Sequence, residues 1–418
     1  MEPMRIRISF FIVATVLATT AVAQSVVENG TALRLGDAVA KARLQAPALQ
    51  GADAAVRAAE ANVQLSGLRP NPTLSVEAEN VMGSGRYTGF GGGEKTVSFS
   101  IPLELGGKRQ ARVGVARAES IAAGIGAKAS QADLTLQVTE AFVSLAASER
   151  HAQIAKTSHE LAERAFHAAR ERVRAGKASP IEEQRADVLR INAEVRLGKA
   201  VRAVELARSN VVRLTGVAKP FAIASPWFEH VERSDVPAAS GAGLAIVAAD
   251  AEVAAAAARI VAARSDRVPD VTLTAGMRRF GETSDKAAVI GLSIPLPLFN
   301  PGTAVLSRTR AEYDRAVATR RAAGLAFDQS MEQANAEVAD AVEAARAANG
   351  PALAAAEEAA RIARLGYREG KFPQLELIEA ERSLAETRQA SVDALTALHT
   401  ARARLARLQG STSPIYKD

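Results

Sequence analysis

The chain has no cysteine and few aromatic residues, with 4% Phe, Trp and Tyr and a single tryptophan among 418 residues. The missing cysteine excludes disulfides, thiolate catalysis and cysteine-ligated zinc sites. Beyond the N-terminal region, no stretch approaches the run of about 20 apolar residues that a membrane helix needs. The net charge of +6 is modest for this length, so it does not indicate nucleic-acid binding. No nucleophile–base pair or phosphate loop is present, and the chain is not expected to be an enzyme.

The N-terminus has the three-part order of an export signal. Arg5 and Arg7 precede the apolar run 8–17, and residues 21–23 (AVA) form a cleavage site of the A-x-A type. Cleavage there makes Gln24 the first mature residue. Because no cysteine stands at that position, we expect an exported protein without a lipid anchor.

The chain contains an internal duplication. Residues 100–103 (SIPL) recur at 293–296, and residues 117–119 (RAE) recur at 310–312, each 193 residues later. An offset shared by two separated peptides is hard to obtain by chance. We therefore expect the same architecture twice, with a short alternating segment joined to long helices in each copy.

Two short segments in each copy alternate between apolar and polar residues, which predicts β-strands. In the first copy, residues 73–82 and 96–103 alternate on either side of a glycine-rich loop. In the second copy, residues 272–278 and 288–296 do so around a shorter loop. Each copy is therefore predicted to contain one β-hairpin.

Long helix-forming stretches follow each hairpin. Residues 108–175 contain no proline and predict a helix of roughly 100 Å, at about 1.5 Å per residue. The segment 173–180 interrupts it, and a second helix returns from 181 to about 214 as an antiparallel partner. The second copy repeats this pattern, with a kink predicted at residues 350–351. No small globular core covers helices of that length, so they must pack against one another.

These signals divide the chain into two repeats. The predicted units are a signal peptide at 1–23, a first repeat at 24–215 (β-hairpin 73–105, helical tip near 173–180), a linker at 216–243, a second repeat at 244–410 (β-hairpin 272–298, helical tip near 366–374) and a tail at 411–418. The predicted fold class is mostly α with a small β part.

The four predicted strands, of about 7–10 residues each, cannot make a stable soluble sheet because such long helices separate them. Their alternation suits a membrane barrel, with apolar side chains toward lipid and Thr, Ser and Glu toward a wet lumen. The edges of a four-stranded sheet would leave backbone groups unpaired in lipid, so the barrel has to close between chains. Three chains would supply twelve strands. A soluble helical protein with two short hairpins is the alternative.

The signal peptide, the duplicated hairpins and the repeated tips resemble the TolC family of outer-membrane efflux channels over essentially the whole mature chain. Residues 103–112 (LELGGKRQAR) and 293–300 (SIPLPLFN) are similar to the cobalt–zinc–cadmium efflux subgroup. The resemblance implies a homotrimer, in which duplicated helical hairpins form an α-barrel tunnel joined to a twelve-stranded transmembrane β-barrel. It also implies an outer-membrane location with a periplasmic extension.

The resemblance further implies a passive exit duct of a tripartite efflux system, exporting divalent heavy-metal cations. Its partners would be a periplasmic adaptor and an inner-membrane pump of the RND type, and no cofactor is implied. A drug or protein export channel of the same family is one alternative. A periplasmic coiled-coil adaptor is another, although adaptors carry one helical hairpin flanked by compact β domains and this chain has two hairpins.

The resemblance assigns the two helical tips to adaptor docking. The matching positions are Val173, Gly176 and Lys177 in the first copy and Tyr367, Gly370 and Lys371 in the second. Glycine suits a tight helix-to-helix turn, and it leaves few side chains to block a partner. A turn glycine without a partner role is the alternative.

Acidic residues just past the second tip line the periplasmic aperture in the family. The matching positions here are Glu376 and Glu379, which lie at i and i+3 on one helix face. The first copy has Glu182 and Arg185 at the corresponding positions. Threefold symmetry would bring six carboxylates together, and such a ring favours cations. Ordinary solvated charges are the alternative.

Three histidines, His151, His159 and His167, recur at intervals of eight residues on one predicted helix. Each interval rotates the side chain by about 80°, so the three spiral around the helix and do not converge on one ion. We assign no metal ligand and expect solvated histidines. A conduit also has to release its cargo, which argues against tight binding.

Overall fold

The computed structural model describes residues 32–218, 221–231 and 243–416. The predicted signal peptide and part of the predicted linker lie outside these residues. The helices are α1 (Leu35–Gln45), α2 (Pro47–Ser66), α3 (Lys108–Arg174), α4 (Pro180–Thr215), α5 (Leu244–Ser265), α6 (Thr303–Ala347), α7 (Leu353–Arg368) and α8 (Gln374–Leu408). The strands are β1 (Thr73–Glu79), β2 (Glu94–Leu103), β3 (Val271–Arg279) and β4 (Lys286–Ser293). The predicted mostly helical fold with four strands is confirmed.

The first repeat places two short helices, a β-hairpin and one long helical hairpin in sequence. Pro47 begins α2 directly after α1 because proline lacks the N–H that a continuing helix would need. Helix α3 has 67 residues and is therefore about 100 Å long. It begins after Gly107, whose φ of 74° lies in the left-handed region. Helix α4 runs back along α3 as its antiparallel partner.

The second repeat follows the same order but breaks its first long helix. A π-helical segment, Ala348–Ala352, separates α6 from α7. Gly350 there has non-helical angles (φ −110°, ψ −106°), and Pro351 follows it inside the helix. Proline removes one backbone hydrogen bond and clashes with the preceding turn, which explains the kink at the predicted position.

The four strands form one antiparallel sheet in the order β1-β2-β3-β4. Pairing of β2 with β3 joins the hairpins of the two repeats, with Phe99 opposite Ala275 and Lys95 opposite Arg279. The Ser100 and Thr274 hydroxyls also lie 2.8 Å apart across this junction. Strands β1 and β4 are the two edges of the sheet within the described chain.

The last strand is shorter than the sequence predicted. The alternation predicted a strand over 288–296 and a hairpin ending at 298, but β4 ends at Ser293. Pro295 and Pro297 explain the difference because neither can donate a ladder hydrogen bond. The Leu298 amide instead bonds the Leu296 carbonyl in a local turn.

The largest buried core lies where α1, α3, α4 and α8 meet the described linker residues and the C-terminal tail. Trp227 stacks on Tyr416 with ring centroids 4.4 Å apart, and Phe228 is fully buried beside them. His399, also fully buried, donates from Nε2 to the Phe228 carbonyl at 2.8 Å and accepts a hydrogen bond at Nδ1 from the Tyr416 hydroxyl. These contacts hold the tail against α8 and the described linker residues.

Across the described ranges, no helix combines the length and the apolarity needed to cross a membrane.

Candidate functional site: a two-faced sheet and two helical tips

The sheet has one apolar face, and that face is exposed. The cross-strand register aligns its side chains in rows, for example Leu74, Phe99, Ala275 and Ile290. Leu74 is 70% exposed and Ile290 is 87% exposed in the chain. A contiguous apolar surface of this kind marks contact with lipid or with another protein.

The opposite face of the sheet is polar and internally bonded. The guanidinium of Arg278 on β3 contacts the carboxylates of Glu79 at 2.8 Å and Glu94 at 2.9 Å. It also donates to the Thr96 hydroxyl at 3.0 Å. Because Glu79 lies on β1 and Glu94 on β2, one arginine ties three strands together on this face. The polar face is suited to a water-filled space, and the apolar face is suited to lipid.

The two helical tips are closed by the same backbone motif. Gly176 and Gly370 adopt φ values of 68° and 70°, in the left-handed region that favours glycine. The amide of Lys177 bonds the Arg172 carbonyl, and the amide of Lys371 bonds the Gly366 carbonyl, both at 2.8 Å. These six-residue closures are Schellman motifs, which explains why each tip needs glycine.

The predicted docking residues lie at these two turns. Gly176, Lys177, Gly370 and Lys371 are exposed, whereas Val173 and Tyr367 are half-buried. Nothing lies within 4 Å of a Cβ built on either tip glycine, so the space in front of both turns is open.

A side-chain contact joins the two tips, and no sequence pattern predicts it. Arg172 donates from Nη1 to the Tyr367 hydroxyl at 3.3 Å. This hydrogen bond, together with the nearby Glu182 carboxylate, raises the pKa of Arg172. Glu182 is half-buried, and its Oε2 has no hydrogen-bond partner among the described residues. The two partners lie 195 residues apart, so neither helical period nor local motif could have paired them.

The predicted aperture residues occupy the first turns of the two returning helices. Glu376 and Glu379 at the start of α8 are exposed, and so is Arg185 at the start of α4. The structure shows no ion pair for these three side chains within the described part of the chain. Arg185 is thus not brought together with either glutamate inside one chain.

Ion pairs fix the second hairpin just behind its tip. Arg364 on α7 forms a two-point contact with Glu381 on α8, and the Nη2–Oε2 distance is 2.9 Å. Glu381 is only 10% exposed, and the hydrogen bond to it raises the pKa of Arg364. A cleft of about 320 Å³ lies beside this pair, between α3, α4, α7 and α8. Sequence reasoning missed this pair because its members lie on different helices.

The three histidines of α3 do not share a partner. His151 Nε2 lies 3.1 Å from Asp393 Oδ1, and His167 lies 3.9 Å from Glu163. Among the residues that the structure describes, no three His, Asp or Glu side chains are grouped closely enough to hold a metal ion.

The model of the outer membrane efflux protein family matches residues 38–217 and 241–411, which span both repeats. The chain belongs to this family. Its members are efflux channels and not enzymes, in agreement with the expectation from the sequence. The adaptor alternative is thereby excluded.

Individual proteins of known function or structure are similar to this chain in sequence or in fold. The chain is 29% identical to the cobalt-zinc-cadmium resistance protein CzcC of Cupriavidus metallidurans, over 84% of each chain. It is 29% identical to the nickel and cobalt resistance protein CnrC of the same organism, over 69% of this chain and 70% of CnrC. Its fold is similar to the open state of the Neisseria gonorrhoeae MtrE outer membrane channel, with a TM-score of 0.74, 19% identity and coverage of 91% and 90% of the two chains.

Proposed function

We propose that three copies of this chain form an outer-membrane channel that serves as the passive exit duct of a tripartite efflux pump. The two-faced sheet is the observation that carries this proposal. Its apolar face is exposed, its other face is polar, and β1 and β4 leave both edges open. In lipid, open edges are costly, and pairing β4 of one chain with β1 of the next satisfies them. Three chains of four strands each then close a twelve-stranded barrel.

The long helical hairpins continue the barrel as a tunnel through the periplasm. Helix α3 alone is about 100 Å long, and α4, α6, α7 and α8 run beside it or beside one another. The barrel strands and the helical tips lie at opposite ends of these helices along the chain. The tips at Gly176 and Gly370 therefore face away from the outer membrane, where a periplasmic adaptor can dock onto them.

Divalent heavy-metal cations are the proposed cargo. The relatives CzcC and CnrC carry resistance to cobalt, zinc, cadmium and nickel in their names. Glu376 and Glu379 are exposed and unpaired in the described chain, so three copies can present six carboxylates at the aperture. Such a ring attracts cations without holding them tightly. An inner-membrane pump supplies the energy, because a duct of this kind performs no chemistry.

The cargo is tested by metal tolerance of a strain that lacks this protein. We expect sensitivity to zinc, cadmium, cobalt or nickel, restored by the intact gene, and unchanged tolerance to a panel of hydrophobic drugs. Sensitivity to the drugs alone would retain the channel and contradict the metal assignment. A useful control is complementation with a Gly176→Pro/Gly370→Pro double variant, since proline cannot adopt the positive φ of the two tip turns.

A further inference from the structure

Three basic side chains form one row across the sheet. Lys95 on β2 lies opposite Arg279 on β3, and Arg279 lies opposite Lys286 on β4. All three are exposed. The structure shows no ion pair for any of them within the described part of the chain, although the exposed Asp285 directly precedes Lys286. Glu79 and Glu94 point to the other face and bind Arg278, while Glu282 lies 3.7 Å from Arg86.

This arrangement is unfavourable for the isolated sheet. Like charges placed directly opposite each other on neighbouring strands repel, and here three such charges are adjacent. Salt and water screen part of the repulsion, but no carboxylate of the described chain forms an ion pair with the row. An anionic partner outside the chain would convert the repulsion into binding.

The row lies on the apolar face, at the edge of the apolar surface. Side chains two residues apart share a face, so Lys95 is followed on this face by Val97, Phe99, Ile101 and Leu103. The nine residues from Lys95 to Leu103 are separated by eight steps and span roughly 27 Å at about 3.4 Å per residue. Nine residues is the length at which a tilted barrel strand crosses the apolar band of a membrane, which takes about 9–11 residues. The basic row thus stands where the band ends, on the side of the hairpin loops.

We propose that Lys95, Arg279 and Lys286 bind the phosphate groups of anionic lipids at the outer rim of the barrel. This inference rests on the proposed function, because it needs the apolar face to be surrounded by lipid. Lysine and arginine can lay their methylene stems along the apolar band and place their charges at the headgroups. In a trimer the row occurs three times and forms a basic belt around the rim, which would hold the lipid shell and orient the barrel in the membrane.

Spin-labelled lipids provide the test. The intact protein is reconstituted in phosphatidylcholine, and electron paramagnetic resonance compares how strongly labelled phosphatidylglycerol and labelled phosphatidylcholine join the motionally restricted shell. We expect the wild type to prefer phosphatidylglycerol by roughly twofold or more and to lose this preference as salt is raised. The variant K95Q/R279Q/K286Q should bind both lipids about equally.

A charge-matched control separates the basic row from general electrostatics. The variant K128Q/K156Q/K199Q removes the same number of exposed cations from α3 and α4 and should keep the preference of the wild type. Each variant is first checked for a circular dichroism spectrum and a chain count in detergent equal to the wild type. If the triple variant does not fold, R279Q alone removes the central charge and should lower the preference.

The outcomes distinguish this inference from the proposed function. A restricted lipid shell without any preference for phosphatidylglycerol, or a preference that K95Q/R279Q/K286Q retains, overturns the lipid site and leaves the channel standing. The absence of any restricted lipid around the wild type contradicts both, since no barrel would then be inserted.

Discussion

Large apolar side chains have opposite environments in the central core and in the sheet. Phe142 and Phe228 in the core are fully buried, whereas Val76 and Ile290 on the sheet are 72% and 87% exposed. In the core, helices from both repeats exclude water from these side chains, as in any soluble protein. The sheet shows the reverse order, with its polar residues bonded to one another and its apolar residues outward. The helical part of the chain is therefore suited to water, and the outer face of the sheet is suited to an apolar environment.

Substitutions in the central core should lower the free energy of unfolding more than substitutions elsewhere. Phe142 contacts Trp227 and is fully buried, so Phe142→Ala should lower the free energy of unfolding by about 3–5 kcal/mol. Thermal unfolding in detergent, followed by circular dichroism, measures this. Phe299→Ala is the matched control because Phe299 is 100% exposed, and it should leave the unfolding temperature nearly unchanged. Equal losses for both variants would contradict the contrast between core and surface.

The sheet should respond to the membrane and not to water. Ile290→Lys places a charge on the apolar face, which costs about 2–4 kcal/mol near the centre of a bilayer. The neighbouring Val289→Lys points the same charge to the polar face and should cost little. We expect only Ile290→Lys to reduce the amount of protein assembled in the outer membrane, as counted by urea-resistant membrane fractions. Equal assembly of the two variants would show that the faces are assigned wrongly.

The core also contains a titratable group, His399. Burial lowers its pKa to about 4, and Arg402 and Arg150 act in the same direction. Above pH 6.5 the imidazole is neutral in both the folded and the unfolded chain, so stability does not change with pH through this group. Below that value the unfolded chain binds a proton that the folded chain does not, and stability falls until about pH 4.

The size of this acid destabilisation is on the order of 3 kcal/mol, from the difference between the two pKa values. His399→Gln replaces the imidazole with an amide, which does not titrate but can still donate and accept hydrogen bonds. The variant should therefore flatten the curve of stability against pH between pH 6.5 and 4. Urea denaturation at a series of pH values measures it, with His230→Gln as a control at an exposed imidazole. An unchanged slope in His399→Gln would assign the pH dependence to other groups.

The helical tips differ from both the core and the sheet. Their exposed charges are expected to affect cation selectivity and to contribute little to the stability of the fold. Glu376→Ala together with Glu379→Ala should leave the unfolding temperature within a degree or two and weaken the preference for cations in a planar bilayer. Glu160→Ala with Glu332→Ala removes the same charge from exposed positions away from the tips. Unchanged conductance and selectivity in the first pair would remove Glu376 and Glu379 from the aperture.

The sequence predicted the parts of the structure that depend on local chemistry. The shared offset of 193 residues revealed the duplication, period-two alternation located the strands, and Pro47 and Pro351 located a break and a kink. Strand β4 was predicted too long because alternation continued through Pro295 and Pro297, where pairing stops.

Contacts between distant segments could not be predicted in the same way. Arg172 meets Tyr367, and Arg278 meets Glu79, only because the two repeats pack side by side. The stacking of Trp227 on Tyr416 depends on a tail that returns to the core. Residue periods describe the face of one element, but they do not specify which element covers it.

Closure of the barrel between chains is the central claim, and cysteine cross-linking tests it most directly. The native chain has no cysteine, so an introduced pair has no competitor. With Ser75→Cys on β1 and Val289→Cys on β4, the two thiols of one chain are separated by the two intervening strands, or roughly 14 Å. A disulfide bridges Cα atoms no more than about 7 Å apart, so it can form only between chains.

We expect covalent dimers and trimers on non-reducing gels of outer membranes when Ser75→Cys is combined with cysteine at Val289 or at the neighbouring polar-face positions 287 and 291. Each single substitution should run as a monomer. Exclusively monomeric bands at all three positions would contradict the pairing of β4 with β1 of the next chain.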